Sequence, residues 1–149
     1  MDFRERIPNR MSEPLVFHYD VDGSDFTSAG TASVKRNLRQ LGMPSEIIRR
    51  VSIAMYEGEI NMVIHASGGT ADVIVTEDYV DIILADSGPG IEDVDKAMQE
   101  GYSTATAEIH SLGFGAGMGL LNMKRYSDEM TIDTRVGEGT TIKMRIYMS

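Results

Sequence analysis

The sequence predicts an α+β two-layer sandwich: a mixed, mostly antiparallel sheet covered on one face by helices. Three observations lead there. Segments with helical spacing of apolar residues come first and β-rich runs later, an order that segregates helices from strands. The β-rich runs pair across short turn sequences, Glu77-Asp78 and Val136-Gly137-Glu138-Gly139, so each pair reads as a hairpin. No internal repeat or linker divides the 149 residues, a length that suits one domain with its own core.

Taken in order, residues 1–13 are polar, carry Pro8 and show no period, so a weakly ordered tail is expected, with residues 14–149 forming the single domain. Leu15 to Val21 places Phe17, Tyr19 and Val21 on one side, as in a first strand at a sheet edge, and Asp22-Gly23 ends it. From Thr27 to Leu41, Ala29, Ala32, Val34, Leu38 and Leu41 fall near helical spacing, and Gly42 stands where a C-terminal cap belongs. A second helix starts at Pro44-Ser45-Glu46, runs through Ile47, Val51, Ala54 and Ile64 to Ala66, and stops in Ser67-Gly68-Gly69. Strands are expected over Ala71 to Thr76 and Tyr79 to Ala85, then the loop Asp86-Ser87-Gly88-Pro89-Gly90 and a short amphipathic helix over Ile91 to Gln99. Gly101 to Gly115 has the small residues of a mobile loop, and Gly117 to Tyr126 is helical in pattern. Met130 to Thr134 and Thr141 to Tyr147 complete a second hairpin.

Composition excludes several functions. Lys and Arg number 14 against 23 Asp and Glu, a net charge of −9 with no basic segment, which argues against a nucleic-acid partner held by its phosphates. No apolar run approaches the roughly 18 residues needed to span a bilayer, and the N-terminus has no apolar stretch of signal-peptide length, so no membrane partner and a cytoplasmic location are expected. Cysteine is absent, which removes disulfides, thiolate nucleophiles and cysteine-zinc sites. With this surplus of carboxylates, a nucleotide would have to be held through backbone N–H groups and Mg²⁺.

Four motifs carry chemistry. Glu57, Asn61 and His65 recur every four residues on the second helix, a polar stripe amid Ile53, Ile60 and Ile64. A glutamate one turn from an asparagine can take a proton from an attacking hydroxyl while the amide oxygen serves Mg²⁺; a solvated helix face would look the same. Asp86 ends a strand ahead of Gly88 and Gly90, as a carboxylate aimed at an exocyclic amine would, or as a simple strand-ending turn would. Gly113, Gly115, Gly117 and Gly119 alternate before a helical segment, where N–H groups converge on phosphate oxygens, or where a hinge bends. There is neither a Rossmann fingerprint nor a Walker A lysine. Gly137-Glu138-Gly139-Thr140-Thr141, taken alone, is a hairpin turn followed by a β-prone pair.

Read in order, Glu57-x-x-x-Asn61, Asp86-x-Gly88-x-Gly90-Ile91, Gly115-x-Gly117-x-Gly119-Leu120 and Gly137-x-Gly139-Thr140 resemble the asparagine box and three glycine boxes of the GHKL ATPase superfamily, which includes gyrase, histidine kinases and MutL. The resemblance spans roughly Ser52 to Met144 and implies the Bergerat-type sandwich. It implies ATP and Mg²⁺ as cofactors, with Asn61, Asp86, Gly88, Gly90, Ile91, Gly115, Gly117, Met118, Gly119, Leu120 and Thr140 as the cofactor-binding residues. Asp86 would take the adenine amine with Thr140 assisting through water, Asn61 would hold Mg²⁺, the glycines would wrap the phosphates, and Glu57 would be the catalytic base.

Within that superfamily, the chain length, the Glu57–Asn61 spacing and Glu100-Gly101-Tyr102-Ser103-Thr104 resemble the bacterial anti-sigma-factor serine/threonine kinases and the switch-protein kinases of stress signalling. Phe114-Gly115-Ala116 lacks the arginine that anti-sigma kinases carry near these glycines, which tilts the resemblance to the switch-kinase branch. Such kinases phosphorylate a serine or threonine on a STAS-domain protein, here an anti-anti-sigma or scaffold partner. A sigma factor or phosphatase and a homodimer are further partners the resemblance admits. The rival from another class is a nucleotide-gated binding module with little turnover. A detached histidine-kinase catalytic domain fits less well, since His18, His65 and His110 are followed by Tyr19, Ala66 and Ser111 rather than by an acidic residue.

Overall fold

The computed structural model describes residues 14–99 and 118–149. Strand β1 (Leu15–Asp22) leads to helices α1 (Ala29–Gln40) and α2 (Ser45–Ala66), strands β2 (Gly68–Val75) and β3 (Tyr79–Asp86), the short helix α3 (Val94–Ala97), helix α4 (Gly119–Tyr126) and strands β4 (Glu129–Arg135) and β5 (Gly139–Tyr147). The five strands form one sheet in the order β1-β2-β3-β5-β4, with β1 at an edge as its sequence suggests. Every neighbouring pair is antiparallel, so the expected mixed sheet is antiparallel throughout the described strands.

Alternation along the strands decides which face is covered. Val73 and Val75, Val80 and Ile82, and Met144 and Ile146 are fully buried under the helices. The other face carries Asp81, whose carboxylate accepts two hydrogen bonds from the Arg145 guanidinium at 2.8 and 2.9 Å, while Arg145 stacks 3.8 Å from the centre of the Tyr79 ring. Pairing with Asp81 holds the guanidinium pKa above its ordinary value.

Helix α2 is the centre of the helical layer, packed on α1 over the β1 side and on α4 over the β4–β5 side. Its inward stripe, Ile47, Val51, Ala54, Met55, Gly58 and Met62, recurs at three and four residues and is buried. Pro44 and Glu46 start the helix as the sequence suggests; Ser67, at φ 61°, ends it, and Gly68 and Gly69 belong to β2. Gly42, at φ 74°, caps α1 by donating its N–H to Arg39 O.

Two sequence expectations need correction. In α1 the inward residues are Gly30, Thr31, Val34 and Leu38, while Ala29 and Ala32 are exposed. The cause is Glu59 of α2, only 4% exposed: its carboxylate accepts from Gly30 N (2.8 Å), Thr31 N (2.9 Å) and Thr31 Oγ1 (2.7 Å), capping the start of α1 from the neighbouring helix. The local cap position, Ser28, is left-handed and its side chain makes no capping bond. The helix expected over Ile91 to Gln99 shrinks to Val94–Ala97, because Asp93 caps Lys96 N and Ile91 N is engaged by Thr134 instead. Among the described residues, no helix is long and apolar enough to cross a membrane.

Candidate functional site

The antiparallel β3–β5 ladder brings together residues 54 positions apart, setting Asp86 directly across from Thr140. Asp86 Oδ1 accepts from Gly88 N (2.9 Å) and Thr140 N (3.2 Å), which fixes the carboxylate at the end of the sheet. Oδ2 has no hydrogen-bond partner among the described residues and is not sealed from solvent. One carboxylate oxygen is thus anchored and the other is open to a ligand.

Above Asp86 lies a cleft of about 420 Å³, counting the space open to solvent. Asn61, Met62, His65 and Ala66 of α2 form one wall, Leu84, Thr140 and Ile142 the sheet side, and Pro89, Gly90 and Ile91 the rim. An apolar slot with a single carboxylate at its end suits a flat, amine-bearing ring. Burial holds the His65 imidazole below its ordinary pKa, favouring the neutral form.

The rim is tied to the sheet twice. Gly137 N donates to Pro89 O at 2.8 Å, and Ile91 N donates to Thr134 Oγ1 at 2.9 Å. Gly139 runs so close to Asp86 that a Cβ there would stand 2.1 Å from Asp86 O, which explains the glycine at φ 137° beside the cleft floor.

Glu57 does not line this cleft. It sits beside the start of α4, where Asn122 Nδ2 donates to Glu57 Oε1 at 3.1 Å. A Cβ added at Gly119 would stand 3.6 Å from Asn61 Oδ1 and 3.8 Å from Glu57 Oε2, so the first residue of α4 adjoins both side chains of the stripe. Burial raises the Glu57 pKa and the Asn122 amide partly opposes it. Asn61 makes no side-chain hydrogen bond among the described residues and is half-buried, so its amide oxygen is available.

The geometry fits a nucleotide with a hard cation. Among the described residues no cluster of three or more acidic or histidine side chains could hold a metal by itself. A Mg²⁺ would rest on Asn61 and on phosphate oxygens, the usual arrangement when the phosphates bring the cation. Leu120 is 7% exposed and anchors α4 in the core, so its side chain serves packing. Met118 precedes that helix as its N-cap residue. Gly115, Gly117 and the stretch Glu100 to Thr104 lie outside the described residues.

Sequence reasoning missed Asn122, Thr134 and Glu59. Asn122 touches a residue 65 positions away, and Thr134 one 43 away, through pairings set only by the fold.

Comparison with known proteins agrees with this reading of the fold. Residues 27–146 match the histidine kinase-like ATPase domain family. An anti-sigma F factor of Caldanaerobacter subterraneus subsp. tengcongensis is 32% identical over 114 residues, covering 73% of this chain and 76% of that protein. The serine/threonine-protein kinase RsbT of Bacillus subtilis is 32% identical over 109 residues, covering 70% of this chain and 76% of that protein. In the crystal structure of the RsbU and RsbW domains of Rv1364c from Mycobacterium tuberculosis, the same fold recurs with a TM-score of 0.61 at 16% identity, over 89% of this chain. This chain spans only 32% of that longer one. From the family match and its relatives, the chain belongs to the histidine kinase-like ATPase domain family, the GHKL type expected from its motifs.

Proposed function

We propose that this protein binds Mg-ATP in the cleft and transfers the γ-phosphoryl group to a serine or threonine hydroxyl on a small STAS-type partner protein. The observation that carries the proposal is that Asn61 lines the same cleft as the anchored, half-open carboxylate of Asp86, with Glu57 one turn earlier on α2 and both α2 side chains adjoining the start of α4. The relative named a serine/threonine-protein kinase supports the reaction class.

Each residue then has a task. Asp86 Oδ2 accepts from the exocyclic amine of adenine, and the walls of Met62, Leu84, Ile91 and Ile142 cover the ring. Asn61 Oδ1 contributes one ligand to the cation, which when bound offsets charge on the phosphate oxygens. The backbone at Met118 and Gly119, entering α4, faces the phosphates with its N–H groups. Glu57 removes the proton from the partner's hydroxyl as that oxygen bonds to the γ-phosphorus and the bond to the β-phosphate oxygen breaks, leaving ADP with the electron pair. A carboxylate whose pKa burial has raised is a stronger base than a solvated one. Asn122 holds its Oε1 in place.

The relative named an anti-sigma F factor favours a second reading, in which nucleotide gates partner binding with little turnover. Glu57→Ala separates the two when phosphate transfer from γ-labelled ATP to STAS proteins of the same genome is followed alongside partner binding. Under the kinase reading the variant binds ADP normally and transfers no label. Transfer at the wild-type rate by Glu57→Ala contradicts it.

A further inference from the structure

Helix α1 ends where α2 begins, and Glu59 reaches back to cap the start of α1, so the two helices run antiparallel. Helix α4 is antiparallel to α2 as well: Asn122 near its start meets Glu57, and Tyr126 at its end lies under Arg49, whose guanidinium stands 5.5 Å from the ring centre. The ends of α1 and α4 and the start of α2 therefore share one end of the helical layer, and cations gather there. Lys35, Arg36 and Arg39 come from α1 and Lys124 and Arg125 from α4, and none of these makes an ion pair among the described residues. Arg49 and Arg50 of α2 join them, paired with Glu46 at 3.2 Å and with Asp128 at 3.1 Å. Glu46 is the sole acidic residue within 29–50 and 118–126. Because three separate segments contribute, a chain of net charge −9 acquires a basic pole that no single run of its sequence displays.

Helix-end electrostatics accounts for part of this pole. Arg39, Lys124 and Arg125 stand in the last turns of α1 and α4, where the macrodipole favours cations. Arg36 lies a turn further in, and Arg49 and Arg50 lie near the positive end of α2, so the dipole does not explain them. The pole also has an apolar centre. At about 100° per residue, Arg49, Ile53 and Tyr56 fall on the side of α2 opposite its inward stripe. Ile53 is partly buried without packing on the core, and the Tyr56 ring is 38% exposed. Arg36 and Arg39 flank these two on the α1 side and Arg125 on the α4 side, all three exposed. Aromatic and arginine side chains around a small apolar centre are the composition of an interface hot spot.

We infer that this pole is a docking surface for an acidic, amphipathic helix on a partner protein, whose apolar stripe rests on Ile53 and Tyr56 while its carboxylates meet Arg36, Arg39 and Arg125. Charge complementarity selects the occupant. With −9 on the whole chain, the surface beyond the pole is more acidic still, so a nucleic acid or an anionic membrane, which would run past the pole, meets repulsion there. A compact acidic helix stays within it. The surface is separate from the cleft, since Arg49 precedes Asn61 by 12 residues, about 18 Å along the helix axis, and the inference therefore stands apart from the nucleotide reading.

The test is fluorescence anisotropy of the full chain with a labelled helical peptide carrying a leucine stripe flanked by glutamates. Its lysine counterpart, a DNA duplex and phosphatidylglycerol vesicles serve as the other probes. The wild type is expected to bind the acidic peptide in preference to all three, and more weakly as salt rises. Arg36→Glu/Arg39→Glu and Arg125→Glu should each weaken the acidic peptide about tenfold, Arg36→Gln/Arg39→Gln less, and Lys143→Glu, an equal change of net charge on the open face of the sheet, should leave it unchanged. Far-UV circular dichroism checks that each variant is folded. Failure of the wild type to bind the acidic peptide at low salt would overturn the inference, as would binding indifferent to Arg36→Glu/Arg39→Glu or weakened as much by Lys143→Glu. Tighter binding of DNA or vesicles than of the peptide would overturn it in favour of another class of partner. Self-association in sedimentation, lost in Arg36→Glu/Arg39→Glu, would overturn it in favour of a second copy of the chain. ADP titration of the wild type, read separately, decides the nucleotide site whichever of these results is found.

Discussion

Replacing Glu59 by alanine should loosen the start of α1 more than any surface change in the molecule. The buried carboxylate serves Gly30 N, Thr31 N and Thr31 Oγ1, and no local side chain substitutes for it, since Ser28 makes no capping bond. Each buried group left without a partner costs about 1–3 kcal/mol, so the gross loss over the three is roughly 3–9 kcal/mol. Relief from burying a carboxylate offsets part of this, and a net loss of about 3 kcal/mol is expected. For a chain of this size that corresponds to a drop in melting temperature of roughly 6–12 °C. Glu59→Gln keeps one acceptor oxygen and should lose about half as much. Urea unfolding followed by far-UV circular dichroism reads the effect directly. An alanine variant within about 1 kcal/mol of wild type, at unchanged slope, would refute the capping argument.

Other perturbations address separate parts of the structure. Gly139→Ala forces a side chain into a left-handed position and within 2.1 Å of Asp86 O; a loss of stability of at least about 1–2 kcal/mol is expected together with weakened ADP binding, and wild-type values for both in melting and calorimetry would contradict the close approach. On the open face of the sheet, His18 Nδ1 lies 2.6 Å from Asp72 Oδ1 and Nε2 lies 3.2 Å from Asp20 Oδ1. These carboxylates raise the imidazole pKa above its ordinary 6.5, Asp72 contributing most. A folded-state pKa above the unfolded one gives stability that is fully present below pH 6.5 and lost as pH rises through the folded value. NMR titration should therefore show the His18 midpoint falling toward 6.5 in Asp72→Asn, and the stability gap between wild type and variant narrowing above that range; an unchanged midpoint would remove Asp72 as the cause.

Periodicity made most of the scaffold legible. The α2 boundaries at Ser45 and Ala66, the edge position of β1 and both hairpins follow from spacing and turn residues. Asp86, Asn61 and Thr140 were legible as motif residues, and the fold puts all three around one cleft. What escaped depends on contacts between distant segments. A charge on a helix reads as solvated until its partners are known, and those of Glu59 are backbone N–H groups 28 and 29 residues upstream. Ile91 reads as helical until Thr134 claims its N–H, and Asn122 reads as a surface amide until α4 packs against α2 and brings it to Glu57. Registers and helix packing, rather than local propensity, decide these three.

The nucleotide site is tested most directly by titrating Mg-ADP and Mg-ATP into the wild type, Asp86→Asn and Asn61→Ala by calorimetry. The account predicts binding by the wild type, a loss of about tenfold or more in Asp86→Asn from the charged hydrogen bond, and a loss of Mg²⁺ dependence in Asn61→Ala. A folded wild type that binds neither nucleotide, or an Asp86→Asn variant that binds as tightly as the wild type, would contradict it.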